Sequence, residues 1–172
     1  MPVWKKRLPP YVLPNRHLLS WLKEPHSLTA RCEHGCIRFQ VRLLGLRKEP
    51  SVFTNPARMV MTREVLLVCD GQPVIFAHTE LPTRPRGRLI AWLLRLGSRS
   101  LGSLLFSHPG FRRGEIEFCR LDARSSLFHR AVAAAGLQDC RELWARRSAH
   151  RLEGQNVLVT EVFLAAILRL EN

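Results

Sequence analysis

Two charged residues stand in segments of the sequence that are otherwise almost wholly apolar. Glu161 lies in "NVLVTEVFLAAIL", residues 156–168, and Arg63 lies in "MVMTREVLLVC", residues 59–69. Both segments are rich in valine and leucine, which is typical of buried β-strands. A charge without a partner in a protein interior costs several kcal/mol. Each of the two side chains therefore needs a partner, either in the protein or in a ligand.

The alternation of side chains along a strand places both charges on apolar faces. Residues two apart in a strand share a face, so Glu161 lies with Val159 and Phe163. Arg63 lies with Val65 in the same way. The opposite face of each strand is also largely apolar, so neither charge is expected to lie simply in solvent.

Two interpretations of this pattern remain open. In the first, Arg63 and Glu161 form a buried ion pair, with each other or with neighbours such as Glu64 and Arg147. In the second, both line a closed pocket and hold opposite ends of an anionic ligand. An arginine binds a carboxylate through two parallel hydrogen bonds, and a glutamate accepts one from a hydroxyl group. Such a pocket is mostly apolar with a few polar groups, as small-molecule sites usually are.

The usual catalytic signatures are missing from the chain. It contains no glycine-rich dinucleotide motif, no nucleophile elbow and no metal-binding helix. The segment "GSRSLG" has two glycines but lacks the lysine of a phosphate-binding loop. Of the seven histidines, His78 in the predicted strand "VIFAH" is the one expected near a site.

The five cysteines predict neither a metal site nor a disulfide framework. Cys32 and Cys36 bracket His34 in "CEHGC", but no second ligand pair follows at a recognisable spacing. The number of cysteines is odd and their spacing irregular, which favours reduced thiols. We therefore expect no metal and no disulfide.

Net charge and hydropathy limit the class of protein. The net charge is +13, from 27 Lys and Arg against 14 Asp and Glu, which fits an anionic partner. The basic residues alternate along strands or space out on helices, and no aromatic-rich binding signature accompanies them, so nucleic-acid binding is not favoured. No apolar run reaches the length of a membrane span. A single domain over residues 1–172, located in the cytoplasm, is expected.

The order of predicted elements indicates an α+β fold. Two hairpins are predicted, one turning at Asp70-Gly71 and one at "EGQ", residues 153–155. Helices are predicted within residues 15–24, 26–34, 86–97, 100–110 and 124–136, and a loop over residues 45–56. About six strands joined mostly by hairpins predict a single antiparallel β-sheet flanked by helices.

Four segments of the chain together resemble the chorismate pyruvate-lyase family. They are "SWLKEPHSLTARCE", "TREVLLVCDGQPVIFAHTELP", "LGSRSLGSLLFSHPGFRRGEIEF" and "LWARRSAHRLEGQNVLVTEVFL". They occur in the family's order and span most of the chain. The resemblance implies an enzyme that converts chorismate to 4-hydroxybenzoate and pyruvate, the first committed step toward the ubiquinone ring, without a metal or organic cofactor. It also implies helical flaps that close over an internal site on the sheet.

The resemblance assigns roles to five residues. Arg63 corresponds to the arginine that grips the ring carboxylate, and Glu161 to the glutamate that hydrogen-bonds the ring hydroxyl. Leu28, where a relative has methionine, and Leu101 correspond to two backbone N–H donors to the carboxylate. His78 stands where a relative has arginine, in the region expected to face the side-chain carboxylate of the substrate.

A second function remains open beside the lyase. Some bacterial transcription regulators use a related sheet as an effector-binding domain, so a non-catalytic domain that binds small aromatic acids is the alternative. The chain has no separate helix-turn-helix region, and Arg63 and Glu161 match the enzyme. The expected partners are chorismate and 4-hydroxybenzoate, with no nucleic acid and no transmembrane segment, and the expected state is a monomer.

Overall fold

One antiparallel sheet is the frame of the molecule. The computed structural model describes residues 2–8, 15–53, 58–96, 110 and 112–170, and in this part of the chain six strands pair in the order β1-β2-β3-β6-β5-β4. The predicted α+β fold is confirmed. The strands are β1 (Phe39–Pro50), β2 (Met59–Cys69), β3 (Gln72–Leu81), β4 (Arg112–Asp122), β5 (Glu142–Leu152) and β6 (Gln155–Phe163).

Both predicted hairpins are present, and their turns explain their sequences. Asp70 and Gly71 have φ angles of 50° and 81°, and Glu153 and Gly154 have φ angles of 48° and 76°. Two-residue turns with two positive φ angles match the right-handed twist of the flanking strands. Glycine adopts such angles without steric cost, which places it at the second position of each turn.

The first strand is longer than predicted. The expectation of a loop over residues 45–56 is wrong for its first half, since β1 continues to Pro50 and pairs with β2 as far as Met59. A register shift between Leu43 and Gly45 interrupts the ladder. β1 is an edge strand held by backbone hydrogen bonds, so its charged and exposed side chains gave no strand pattern.

Four α-helices and one 3₁₀ helix are described. The helices predicted within residues 15–24, 26–34 and 124–136 are confirmed, and the one predicted over 100–110 falls almost wholly outside the described residues. Ser27 caps the second helix, where its Oγ accepts from the backbone N–H of Ala30 at 3.3 Å. The helices are α1 (Arg16–Leu22), α2 (Leu28–Gly35), α3 (Arg88–Leu96), α4 (Ser126–Ala135) and the 3₁₀ helix Ala165–Arg169. Within the described part of the chain, every helix is too short or too polar to cross a membrane.

The helices divide between the two faces of the sheet. We call the face that packs against α1 and α2 the front face and the face that packs against α4 the back face. On the front face, Trp21, Leu22 and Leu28 from the helices contact Val65 and Ile75 of the sheet. On the back face, a core of Leu127, Phe128 and Ala131 from α4 packs on Leu66, Phe76 and Val162. Both faces are therefore buried, as the apolar strands predicted.

One pair of cysteines is linked. Cys36, directly after α2, and Cys69, at the end of β2, form a disulfide with their Cα atoms 5.6 Å apart. The expectation of reduced thiols is wrong for this pair, while Cys32, Cys119 and Cys140 remain thiols. Spacing along the chain does not report which cysteines meet in space, and the hairpin and α2 bring together residues 33 apart in sequence. The bond ties the end of α2 to the front face.

Candidate active site

Strand register brings Arg63 and Glu161 to the front face. Arg63 on β2 lies opposite Thr79 on β3, and Thr79 lies opposite Val159 on β6. Glu161 is two residues beyond Val159, so its side chain leaves the same face. Two strand spacings separate β2 from β6, or about 10 Å across the sheet. The two predicted site residues therefore share one face, with β3 between them.

Arg63 is a buried cation. Its relative exposure is 4%, and burial lowers the pKa of its guanidinium to about 10. Burial disfavours the charged form, yet this pKa leaves the group protonated at neutral pH. A charged guanidinium on this face has the planar set of donors that suits a carboxylate.

The charge of Glu161 is paired with an arginine on the neighbouring strand. Its cross-strand partner is Arg146 on β5, whose Nε lies 2.7 Å from Oε2 of the carboxylate. Of the two interpretations of the sequence, an ion pair with a neighbour is thus realised for Glu161, but its partner is Arg146. The neighbour named from the sequence, Arg147, points to the back face and pairs with Glu117 at 2.7 Å. An ion pair through Oε2 does not exclude a ligand at the other carboxylate oxygen.

Two arginines of the front face also hold the segment between α1 and α2. Nη1 of Arg146 donates to the carbonyl oxygen of Glu24 at 2.6 Å and to that of Leu22 at 3.4 Å. Nη1 of Arg113 on β4 donates to the carbonyl oxygen of Pro25 at 2.9 Å. The end of α1 and the residues that follow it are therefore fastened to the sheet through guanidinium groups.

A serine and a histidine complete the polar side chains at this end of the front face. Nε of Arg113 donates to Oγ of Ser148 at 3.1 Å, and the same oxygen lies 3.1 Å from Nε2 of His150. Burial, followed by the charges of Arg113 and Arg146, lowers the pKa of His150 to about 4. This histidine is therefore neutral at neutral pH. We call Arg63, Arg113, Arg146 and Glu161 the front cluster.

Helix α2 lies over the Glu161 end of the front cluster. Burial, and next the charge of Glu161, raises the pKa of the Cys32 thiol on α2 to about 12, so the thiol is within electrostatic range of the carboxylate. Leu28 is the first residue of α2, and its side chain is buried in the core. The N–H groups in the first turn of a helix have no acceptor within the helix. Leu28 therefore presents a backbone donor near the front face.

The structure does not bring His78 together with Arg63 and Glu161. Ala77 is the cross-strand partner of Glu161, so the next residue, His78, points to the back face. There its Nδ1 lies 2.9 Å from Oε1 of Glu64. His78 therefore lies on the opposite face of the sheet from Arg63 and Glu161, with which it was predicted to share a site. The other backbone donor of the prediction, Leu101, lies outside the described residues.

His78 belongs to a charged network on the back face, which we call the back network. Burial opposes a charge on His78, but its hydrogen bond to Glu64 and the negative charges of Glu64 and Glu80 outweigh burial and raise its pKa. Burial likewise opposes ionisation of Glu64, but its bonds to His78 and Arg130 lower its pKa to about 2. The back network consists of Arg47, Glu49, Glu64, His78, Glu80 and Arg130.

Sequence reasoning missed Arg113 and Arg146. The segment "LWARRSAHRL" contains two adjacent arginines, and alternation alone shows only that they face opposite sides. The choice between them follows from Trp144, which is packed in the front core and lies two residues before Arg146. The face of β4 on which Arg113 lies could not be predicted by alternation, because a register shift separates Arg113 from the rest of that strand.

Comparison with known sequences gives a consistent result. The profile of the family described as chorismate lyase matches residues 8–170. A probable chorismate pyruvate-lyase from Dechloromonas aromatica is 54% identical over 160 residues, which are 90% of each chain. Another, from Aromatoleum aromaticum, is 42% identical over 97% of this chain and 94% of its own length.

Comparison with solved structures reports on the fold alone. The effector domain of PhnF from Mycobacterium smegmatis superposes with a TM-score of 0.53, at 14% identity, over 81% of this chain and 89% of that one. A transcriptional regulator of the GntR family from Bacillus cereus superposes with a TM-score of 0.51, at 13% identity, over 78% of this chain and 96% of its own. The sheet with its flanking helices thus occurs in chains with little sequence in common.

Proposed function

Because the chain belongs to the chorismate lyase family, we propose that its front cluster binds chorismate, with Arg63, Leu28 and Glu161 as the contacts. The chain is a chorismate pyruvate-lyase, which releases pyruvate from chorismate and leaves 4-hydroxybenzoate, a reaction that fits ubiquinone synthesis. The observation that carries the site assignment is a buried arginine and a partly exposed carboxylate on one helix-covered face.

The charge of the front cluster suits this substrate. Chorismate is a dianion with one carboxylate on the ring and one on the enolpyruvyl side chain. Among the described residues, the front cluster combines three arginines with one glutamate, and the nearby His150 is neutral at neutral pH. These arginines supply the positive charge that a substrate with two carboxylates requires.

The contacts follow from the shape of the ligand. Arg63 binds the ring carboxylate through its planar donors, and the backbone N–H of Leu28 donates to the same group. Arg146 occupies Oε2 of Glu161, so the carboxylate turns Oε1 toward the hydroxyl at C4 of the ring. The two ends of the ring are thereby fixed from β2 and β6.

Positioning and charge account for most of the chemistry. Loss of the proton at C4 and of the enolpyruvyl group at C3 makes the ring aromatic, and the released enol becomes pyruvate. Since aromaticity drives this step, the protein has mainly to orient the substrate and stabilise charge. Glu161 lies beside the C4 position, either to assist removal of the proton or to anchor the hydroxyl.

Turnover of chorismate by the purified protein and two variants tests the assignment. We expect equal amounts of 4-hydroxybenzoate and pyruvate from the natural sequence, and much less of both from Arg63→Ala and Glu161→Gln. Ring carboxylate and hydroxyl survive the reaction, so calorimetry should show tight binding of 4-hydroxybenzoate. Tight binding without turnover would instead favour the alternative, an effector-binding domain, which the likeness to regulator domains suggests.

The proposal also covers the oligomeric state, the compartment and the partners of the protein. We propose a monomer of one domain, over residues 1–172, that works in the cytoplasm without cofactor and does not bind nucleic acid. A gel-shift series in rising salt tests the last point, because affinity from a basic surface alone falls steeply with added salt.

A further inference from the structure

We infer that Arg146 is a positioning residue that aims the Glu161 carboxylate at the substrate hydroxyl and couples that aim to the helical segment covering the site. The inference rests on the proposed role of Glu161. The resemblance to the family assigns no role to Arg146.

The first step is the contact between the two side chains. Nε of Arg146 lies 2.7 Å from Oε2 of Glu161, and Arg146 is 1% exposed. A glutamate side chain has three rotatable bonds, and ordering it costs conformational entropy. A short charge-assisted hydrogen bond to one oxygen removes most of that freedom before the ligand arrives. The other oxygen, Oε1, is then held in one direction.

The second step is that the guanidinium is itself fixed. Its Nη1 donates to two carbonyl oxygens. One belongs to Leu22, the last residue of α1, and the other to Glu24, two residues later. Nε and Nη1 belong to one rigid plane, so the bond to Glu161 and the bonds to the carbonyls cannot change independently. The next helix, α2, begins only a few residues later, at Leu28. Docking of this segment and orientation of Glu161 are therefore parts of one arrangement.

The third step is electrostatic. Arg113 lies close enough to Arg146 for the two like charges to interact, and it also feels the charges of Glu161 and Glu24. The glutamate therefore stabilises two neighbouring cations while it faces the ligand. Loss of the Arg146 charge would leave Glu161 with a weaker and less direct partner, and the carboxylate would turn toward Arg113.

The discriminating measurement is the ratio of two affinities. 4-Hydroxybenzoate and benzoate share the carboxylate that Arg63 binds, but only the first has the hydroxyl that Glu161 accepts. We expect the natural sequence to bind 4-hydroxybenzoate about tenfold to a hundredfold more tightly, as for a hydrogen bond to a charged group. In Arg146→Gln this ratio should fall to about threefold or less, since any loss of carboxylate binding lowers the affinity for both ligands and leaves their ratio unaffected.

Two further variants separate positioning from general damage to the fold. Arg147→Gln alters the next residue, which faces the back, and should leave the ratio unchanged. Arg146→Lys keeps the charge but not the planar donors, so it should restore part of the ratio. In turnover, Arg146→Gln should lower kcat more than it raises KM for chorismate, since the carboxylate contacts remain.

A double-mutant cycle decides whether Arg146 acts through Glu161. The double variant Arg146→Gln with Glu161→Gln buries no lone charge and therefore also serves if the single variant folds poorly. We expect its affinity ratio to equal that of Glu161→Gln alone. An additive loss, or an unchanged ratio in Arg146→Gln, would overturn the inference. No preference for 4-hydroxybenzoate in the natural sequence would instead remove the role of Glu161, and the inference with it.

Discussion

The front and back faces of the sheet carry buried charges in different proportions, although the same strands build both. In the back network, three glutamates meet two arginines and a histidine whose pKa is raised, so the charges compensate one another. In the front cluster, three arginines meet one glutamate. Alternating residues of β2 belong to the two groups, since Arg63 faces the front and Glu64 the back.

The difference separates charges that hold the fold from charges that bind. In a group whose charges compensate one another, each member is paired within the protein. Removal of one member therefore lowers stability. A group in which one sign predominates suits a ligand of the opposite sign. Burial alone does not distinguish the two groups, because Arg63 and Glu64 are both 4% exposed. The types of charged residue that each group brings together do.

The largest expected effect comes from a substitution within the front cluster. Arg63→Met should reduce kcat/KM for chorismate by about a thousandfold, since a buried charge-assisted contact with the ring carboxylate is lost. The free energy of unfolding should change by no more than about 1 kcal/mol, because an apolar side chain replaces a charge that burial disfavours. Pyruvate release and urea unfolding measure the two quantities.

The matched variant on the other face should show the reverse. Arg130 binds Glu49 and Glu64 from α4, so Arg130→Met should lower stability and leave binding of 4-hydroxybenzoate nearly unchanged. Loss of activity in both variants with equal loss of stability would show that the two faces do not differ in role.

A smaller effect, confined to stability, is expected from the centre of the back network. Glu64→Gln leaves Arg130, His78 and Arg47 with less compensation, and should lower the free energy of unfolding by about 3 kcal/mol. Urea unfolding at neutral pH measures it. The control is Glu117→Gln, which breaks a half-exposed pair with Arg147 and should cost less than about 1 kcal/mol. Equal losses would contradict the importance of the back network.

The smallest effect is a change of stability with pH. The pKa of His78 is raised in the folded state, so its protonation stabilises the fold fully below its ordinary value near 6.5 and progressively less as pH rises through the folded pKa. The loss of stability in His78→Asn should therefore be larger at pH 6 than at pH 9. Thermal unfolding of both proteins across this range measures it. A constant difference would mean that folding does not shift the pKa of His78.

The sequence predicted the front face better than the back face. Alternation, a local property, placed Arg63 and Glu161 each on an apolar face of its own strand, and the resemblance to the family placed both in one site. His78 could not be placed in this way, since its side depends on how β3 pairs with β6, and pairing register is not local. For the same reason the partner of Glu161 was sought in Arg147 and found in Arg146.

Two elements of the fold escaped prediction because backbone geometry decides them. The second half of β1 has the exposed, charged composition of a loop and is a strand only because β2 offers a partner. The link between Cys36 and Cys69 depends on where α2 ends relative to the first hairpin. Turns and helix caps were predicted well, since their residues act on their own neighbours.

The place of β6 in the sheet has a consequence for synthesis of the chain. Strand β6 is synthesised after the other five described strands and is inserted between β3 and β5, so strands β1 to β3 and strands β4 to β5 remain separate groups until it is made. Because β6 also brings Glu161, the carboxylate enters at the moment the two groups join. A nascent chain that stops before this strand has neither a continuous sheet nor a complete site, and its exposed strand edges make it a target for chaperones or proteases.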